Sequence, residues 1–262
     1  MSARIRAFHV PMTSRPRIAV VAPACALKRE AAEKVRALAA GRYGEAAPDI
    51  VFHPQCFLTE GHFAGPDSAR SAAFLEAAND PAFDAVWFAR GGYGSCRLDE
   101  TVWRKLDGAA RAKVYLGYSD LGMVLARLYR GRVGRPFQGR RPADIARAGG
   151  DAAVARALDF LVRGDASTLE PSIKTGAPVA AFNLTILSHL LGTPHEPDLS
   201  GHVVMVEDVS EHLYRIDRAF FHLTSSAGIR RAAGIRLGRV SDILPNDPAF
   251  GKTAEEIASY WC

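Results

Sequence analysis

Lys113-Val114-Tyr115-Leu116-Gly117 is a short apolar run that feeds Tyr118-Ser119-Asp120 and then the helical stretch Leu121 to Tyr129. A run of this length, closed by glycine and followed by helical periodicity, reads as a buried strand turning into a helix. The segments upstream repeat the alternation. Phe83 to Ala89 reads as a strand and runs into Arg90-Gly91-Gly92-Tyr93-Gly94. Before it come a helix (Asp67 to Ala78), a strand (Ile50 to His53), a helix (Lys28 to Ala40) and the strand Arg17 to Pro23. Alternating strands and helices predict a parallel α/β sheet covered on both faces. Ligands of such sheets bind beyond the C-terminal ends of the strands. Three unusual strings fall there: Ala22-Pro23-Ala24, Arg90 to Gly94, and Gly117 to Asp120.

Downstream, a helix is expected from Ala152 to Val162. The polar stretch that follows, to Pro178, is the best candidate for a linker. Asn183 to Leu191 reads as a helix opening past a small-residue turn, Ala180-Ala181. His202 to Asp208 is a strong strand ending in two carboxylates, and Ile235 to Val240 is a further strand. Arg215 to Leu223 and Thr253 to Trp261 are helical, with Thr253 as a cap residue. The expected organisation is a loose arm (1–16), a first domain (17–163), a linker (164–178) and a second domain (179–262).

The chain has 262 residues, 48% of them hydrophobic and 23% charged, which excludes disorder by composition. The net charge of +5 comes from arginines scattered along the chain and denser between Arg127 and Arg147. No helix-turn-helix, RNP or zinc-finger pattern accompanies them, so nucleic acid is not an expected partner. No apolar run spans a membrane, and the first 16 residues lack the apolar core of a secretory signal. The expected compartment is the cytoplasm. Cys25, Cys56, Cys96 and Cys262 form no C-x-x-C pair and read as free thiols, so no metal site is expected.

Ser119 is the first candidate for chemistry, because a serine at a strand-to-helix turn is exposed beside helix N–H groups. The competing reading is a helix N-cap. Arg90 to Ser95 offers glycines that let backbone N–H groups approach a ligand, or forms an ordinary turn. Glu207 and Asp208 point to opposite faces of their strand, so one can face a cleft and the other solvent. No histidine is marked as a base. His189, inside an apolar helix, reads as a core residue, while His195 and His212 fall in polar loops.

Taken together, these strings resemble the LD-carboxypeptidase family, the muramoyl-tetrapeptide carboxypeptidase type, with microcin-immunity peptidases as relatives. The matching segments are Ala19 to Ala24, Ala89 to Gly94 with Arg97-Leu98, and Gly117 to Asp120. Further matches are Asn183 to Thr185 with Leu190 to Pro194, and Leu199 to Asp208 followed by Tyr214 to Arg218. The resemblance implies a flavodoxin-like N-terminal α/β domain and a smaller, β-rich C-terminal α/β domain, expected to be incomplete here. It implies Ser119 as nucleophile, Glu207 as triad carboxylate, and the N–H groups of Gly92 and Asp120 as an oxyanion hole. Arg90, Tyr93 and Asn183 would line the cleft. It implies a muropeptide substrate, no cofactor and a homodimer.

Two departures stand out. The family's general-base histidine lies in a Gly-His segment after one more strand, and the sequence ends at Cys262 before it. The expectation is a longer, active natural protein and an impaired chain as given. Secondly, Phe137-Gln138-Gly139-Arg140-Arg141-Pro142 stands where relatives carry an apolar Gly-Pro-Met type turn. The alternatives are a microcin-type peptidyl-nucleotide hydrolase and an inactive muropeptide-binding homologue.

Overall fold

The computed structural model describes residues 15–171 and 176–262. Most of the expected N-terminal arm and four residues of the expected linker lie outside them. The chain forms two compact units, Met1–Pro171 and Ser172–Cys262.

The first unit is built on five strands: β1 (Arg17–Val21), β2 (Asp49–Phe52), β3 (Ala85–Phe88), β4 (Val114–Gly117) and β5 (Arg135–Gln138). They pair in parallel in the order β2-β1-β3-β4-β5. Side chains alternate across a strand. Ile18, Val20 and Trp87 therefore pack on one face, beneath α1 (Arg29–Tyr43) and α6 (Gly150–Arg163). Val21, Phe88 and Tyr115 pack on the other, beneath α2 (Asp67–Asn79) and α5 (Gly122–Arg130). Two short helices, α3 (Thr101–Arg104) and α4 (Gly108–Ala112), precede β4. The expected parallel α/β sheet is what forms.

Strand β5 escapes a reading by hydrophobic runs, because Arg-Pro-Phe-Gln is half polar and only partly buried. It sits at the sheet edge, where a proline costs no ladder hydrogen bond.

The second unit has a parallel three-stranded sheet: β6 (Val179–Asn183), β7 (Val203–Val209) and β8 (Gly234–Ser241), in that order. Its helices are α7 (Leu184–Leu190), α8 (Leu213–Ser225) and α9 (Ala254–Trp261). Ala180-Ala181 is not a turn but the middle of β6. Alanine has weak strand preference, and pairing with Val204 and Met205 of β7 decides the outcome. His189 is exposed rather than in the core. The buried stripe of α7 is Leu184, Leu187 and Leu190, and position 189 falls off it. Thr253 does cap α9: its Oγ1 accepts the Glu256 N–H, and Glu256 Oε2 accepts the Thr253 N–H. No described helix is long and apolar enough to cross a membrane.

Candidate active site

Strand β4 ends at Gly117, and the chain turns sharply before α5. Tyr118 is fully extended (φ −158°, ψ −178°), and Ser119 follows with φ +63°. An N-cap residue is extended, so the cap position falls on Tyr118 and Ser119 is not a plain helix cap. A side chain in the left-handed region costs roughly 1–2 kcal/mol. The turn Ser119–Leu121 then leads into α5, with the half-buried serine at its start.

The loop after β3 lies beside this turn. A methyl group built on Gly91 would stand 3.3 Å from Ser119 Cβ. Gly92 has φ +107°, and a methyl group there would stand 2.4 Å from Cys25 Sγ, so only glycine fits. Arg70 of α2 clamps this loop to the one after β1. Fully buried, it donates from Nη1 to the carbonyls of Pro23 and Gly94, and its Nη2 pairs with Asp67. Arg97 beside Asp67 holds that carboxyl below its ordinary range, with Arg70 adding to the effect. Arg90 is exposed and donates to the Ala26 carbonyl at 3.0 Å, while Tyr93 leaves half its surface open.

Asp120 is buried, and its Oδ2 accepts the Ser95 N–H at 2.9 Å. Ser95 Oγ in turn donates to the Asp120 carbonyl at 2.6 Å. Burial pushes the Asp120 carboxyl above its ordinary value, against the hydrogen bonds from Ser95. The carboxylate thus anchors the residue after Ser119 to the glycine loop. Of the histidines in this unit, His53 meets Glu76 at 3.2 Å and His62 meets Cys25 Sγ at 3.3 Å. A cavity of about 260 Å³ beside β5 and α6, lined by Leu116, Phe137, Arg140 and Phe160, does not include Ser119.

In the second unit, neither carboxylate of β7 is a solvated strand end. Glu207 is half-buried, opposite Asn183 of β6 in the register. Asp208 is 3% exposed and accepts from Asn183 Nδ2, Thr185 N–H, Thr185 Oγ1 and its neighbour Val209 N–H, all at 2.8–3.1 Å. Asn183 also caps α7 by accepting the Ile186 N–H at 3.1 Å. The second carboxylate therefore ties β7 to the start of α7 instead of facing water. Replacing Asp208 with alanine orphans several buried donors. The expected loss is about 2–3 kcal/mol of stability in thermal unfolding.

Sequence reasoning missed Arg70, which looks like an ordinary helical surface residue. It also missed the inward turn of Asp208, since period-two alternation gives facing but not partners. The burial of Val204 and Val206 assigns Asp208 to the inner face once the sheet is known.

Residues 18–137 match the LD-carboxypeptidase N-terminal domain, and residues 177–260 match the LD-carboxypeptidase C-terminal domain. A carboxypeptidase-named protein of Synechocystis sp. is 30% identical over 92% of this chain and 80% of its own length. A murein tetrapeptide carboxypeptidase of Pseudomonas aeruginosa is 28% identical over 88% of this chain and 82% of its own. Among solved structures, a muramoyltetrapeptide carboxypeptidase from Oxalobacter formigenes superposes with a TM-score of 0.72 at 24% identity. That likeness covers 92% of this chain and 83% of the other, and it bears on the fold alone. The two matched domains follow in order along the same chain that carries the Ser119 turn, and the chain belongs to the LD-carboxypeptidase family of peptidases.

Proposed function

We propose that this chain is a serine carboxypeptidase that removes the terminal D-alanine from muropeptide tetrapeptides, cutting an L,D bond in peptidoglycan recycling. The observation that carries the reading is Ser119 at φ +63° on the β4-to-α5 turn, beside the glycine loop. A left-handed serine is strain without evident structural return, and such strain collects at functional sites. The name of the Pseudomonas aeruginosa relative supports the substrate class.

In this reading Ser119 Oγ attacks the carbonyl carbon of the last peptide bond. The hydroxyl proton goes to a general base, a role for which the resemblance implies a histidine oriented by Glu207, and no histidine among the described residues is assigned to it. The N–H groups of Gly92 and Asp120 receive the oxyanion, each worth about 3 kcal/mol at the transition state. D-alanine leaves with the proton returned to its amine, and water hydrolyses the acyl-enzyme. Arg90 and Tyr93 contact the peptide. Asn183 acts through its bond to Asp208, fixing the end of β6 beside Glu207.

Incubation of a tetrapeptide muropeptide with a protein that carries the general base is expected to yield the tripeptide and free D-alanine, read by mass spectrometry. A peptidyl-nucleotide cleaved in preference to the muropeptide moves the assignment to the microcin-immunity type. Tight binding with no product makes the chain a muropeptide-binding homologue.

A further inference from the structure

The arginine pair after β5 is charged where the resemblance expects an apolar turn, and one of the two faces inward. Arg141 is 6% exposed, whereas Arg140 is exposed. The Arg141 backbone is pinned on both sides: its N–H donates to Asp144 Oδ2, and its carbonyl accepts the Asp144 N–H, both at 3.0 Å. The neighbouring backbone is tied to β3 and its end through Trp87 Nε1 to the Arg140 carbonyl and the Ala143 N–H to the Ala89 carbonyl. The guanidinium lies 4.1 Å from the Tyr118 ring centroid. Its Nη2 donates to Tyr118 Oη at 3.2 Å and to Asp144 Oδ1 at 3.4 Å.

The rest of the guanidinium is uncommitted. Nε is buried without a hydrogen-bond partner, and among the described residues Nη1 makes no hydrogen bond. Nη1 lies against Gly91: a methyl group built there would stand 2.0 Å from Nη1 and 3.3 Å from Ser119 Cβ. Guanidinium and nucleophile thus lie on the same side of Gly91, a few ångströms apart. Arg141 and Arg147 share the single carboxylate of Asp144, and Arg140 donates to Tyr118 Oη beside it, leaving positive charge in excess. Burying an arginine without full pairing is costly unless something else completes it.

We propose that Arg141 receives the free terminal carboxylate of the peptide and so restricts cleavage to the last residue. The proposal rests on the peptidase reading of Ser119. A carboxypeptidase substrate places a carboxylate one residue beyond the scissile carbonyl. A guanidinium a few ångströms from the nucleophile, with Nη1 to spare, matches that spacing. Charge-assisted pairing of guanidinium and carboxylate is the strong form of this contact.

The test measures binding by calorimetry in the Ser119→Ala protein, using a tetrapeptide muropeptide and its C-terminal carboxamide. The free acid is expected to bind ~10- to 100-fold tighter than the amide. Arg141→Met is expected to bring that ratio near unity, Arg141→Lys to leave an intermediate ratio, and Arg140→Met to leave it unchanged. Thermal unfolding confirms that each variant folds, and the acid-to-amide ratio in the Ser119→Ala protein stands even if Arg141→Met does not fold. An undiminished ratio in folded Arg141→Met, or no acid preference in the parent, overturns the proposal while the peptidase reading stands. Equal loss of kcat on acid and amide substrates in otherwise wild-type Arg141→Met also overturns it, because that marks an oxyanion contact. Failure of the parent to bind either peptide, with no cleavage by wild type, overturns both.

Discussion

In a protein that carries the general base, replacing Ser119 with alanine is expected to lower turnover of the tetrapeptide by on the order of 10⁴-fold or more, because on the proposed mechanism no acyl-enzyme forms. The fold does not change, since alanine tolerates the same backbone as poorly as serine does. The informative companion is Ser119→Gly. At φ +63° glycine carries no Cβ penalty, so this variant is inactive but more stable. The gain is about 1 kcal/mol, which raises Tm by roughly 2–4 °C in a protein of this size. The pair separates two properties of one residue. Loss of activity in both variants with a rise in Tm only for glycine says that stability is given up at position 119 for placement of the hydroxyl. Normal turnover in Ser119→Ala removes the nucleophile from this site. An unchanged Tm in Ser119→Gly removes the strain argument but leaves the chemistry.

The sheet of the first unit was readable because its central strands are continuous apolar runs buried on both faces, as Ala85-Val86-Trp87-Phe88 shows. Edge strands carry no such signal. β5 contains arginine and proline, and β6 is rich in alanine, so pairing with a neighbour decides both. At the site, strand-end position and residue type drew attention to Ser119 and the glycine loop. What the sequence did not contain was direction. That Asp208 turns inward, that Arg70 reaches Pro23 and Gly94, and that Arg141 rather than Arg140 is buried all depend on tertiary packing. Local patterns cannot rank two adjacent arginines, and only the positions of Tyr118, Asp144 and Gly91 do so.

Gly92→Ala is expected to lower kcat by about 10²–10³-fold with little change in KM, the loss that follows removal of one oxyanion donor. Two physical effects contribute. The residue's φ of +107° is closed to side chains, so the peptide unit that carries the Gly92 N–H must rotate. The new methyl group also meets Cys25 Sγ, which would lie 2.4 Å away. Truncating Cys25 to alanine removes the sulfur and leaves the backbone restriction in place. The double variant Cys25→Ala/Gly92→Ala is therefore expected to regain stability lost to the clash without regaining kcat. Recovery of kcat in the double variant shows that crowding by the thiol, not peptide rotation, displaced the donor. Full activity in Gly92→Ala alone takes the oxyanion role from the Gly92 N–H and leaves Asp120 as the one donor assigned to the developing charge.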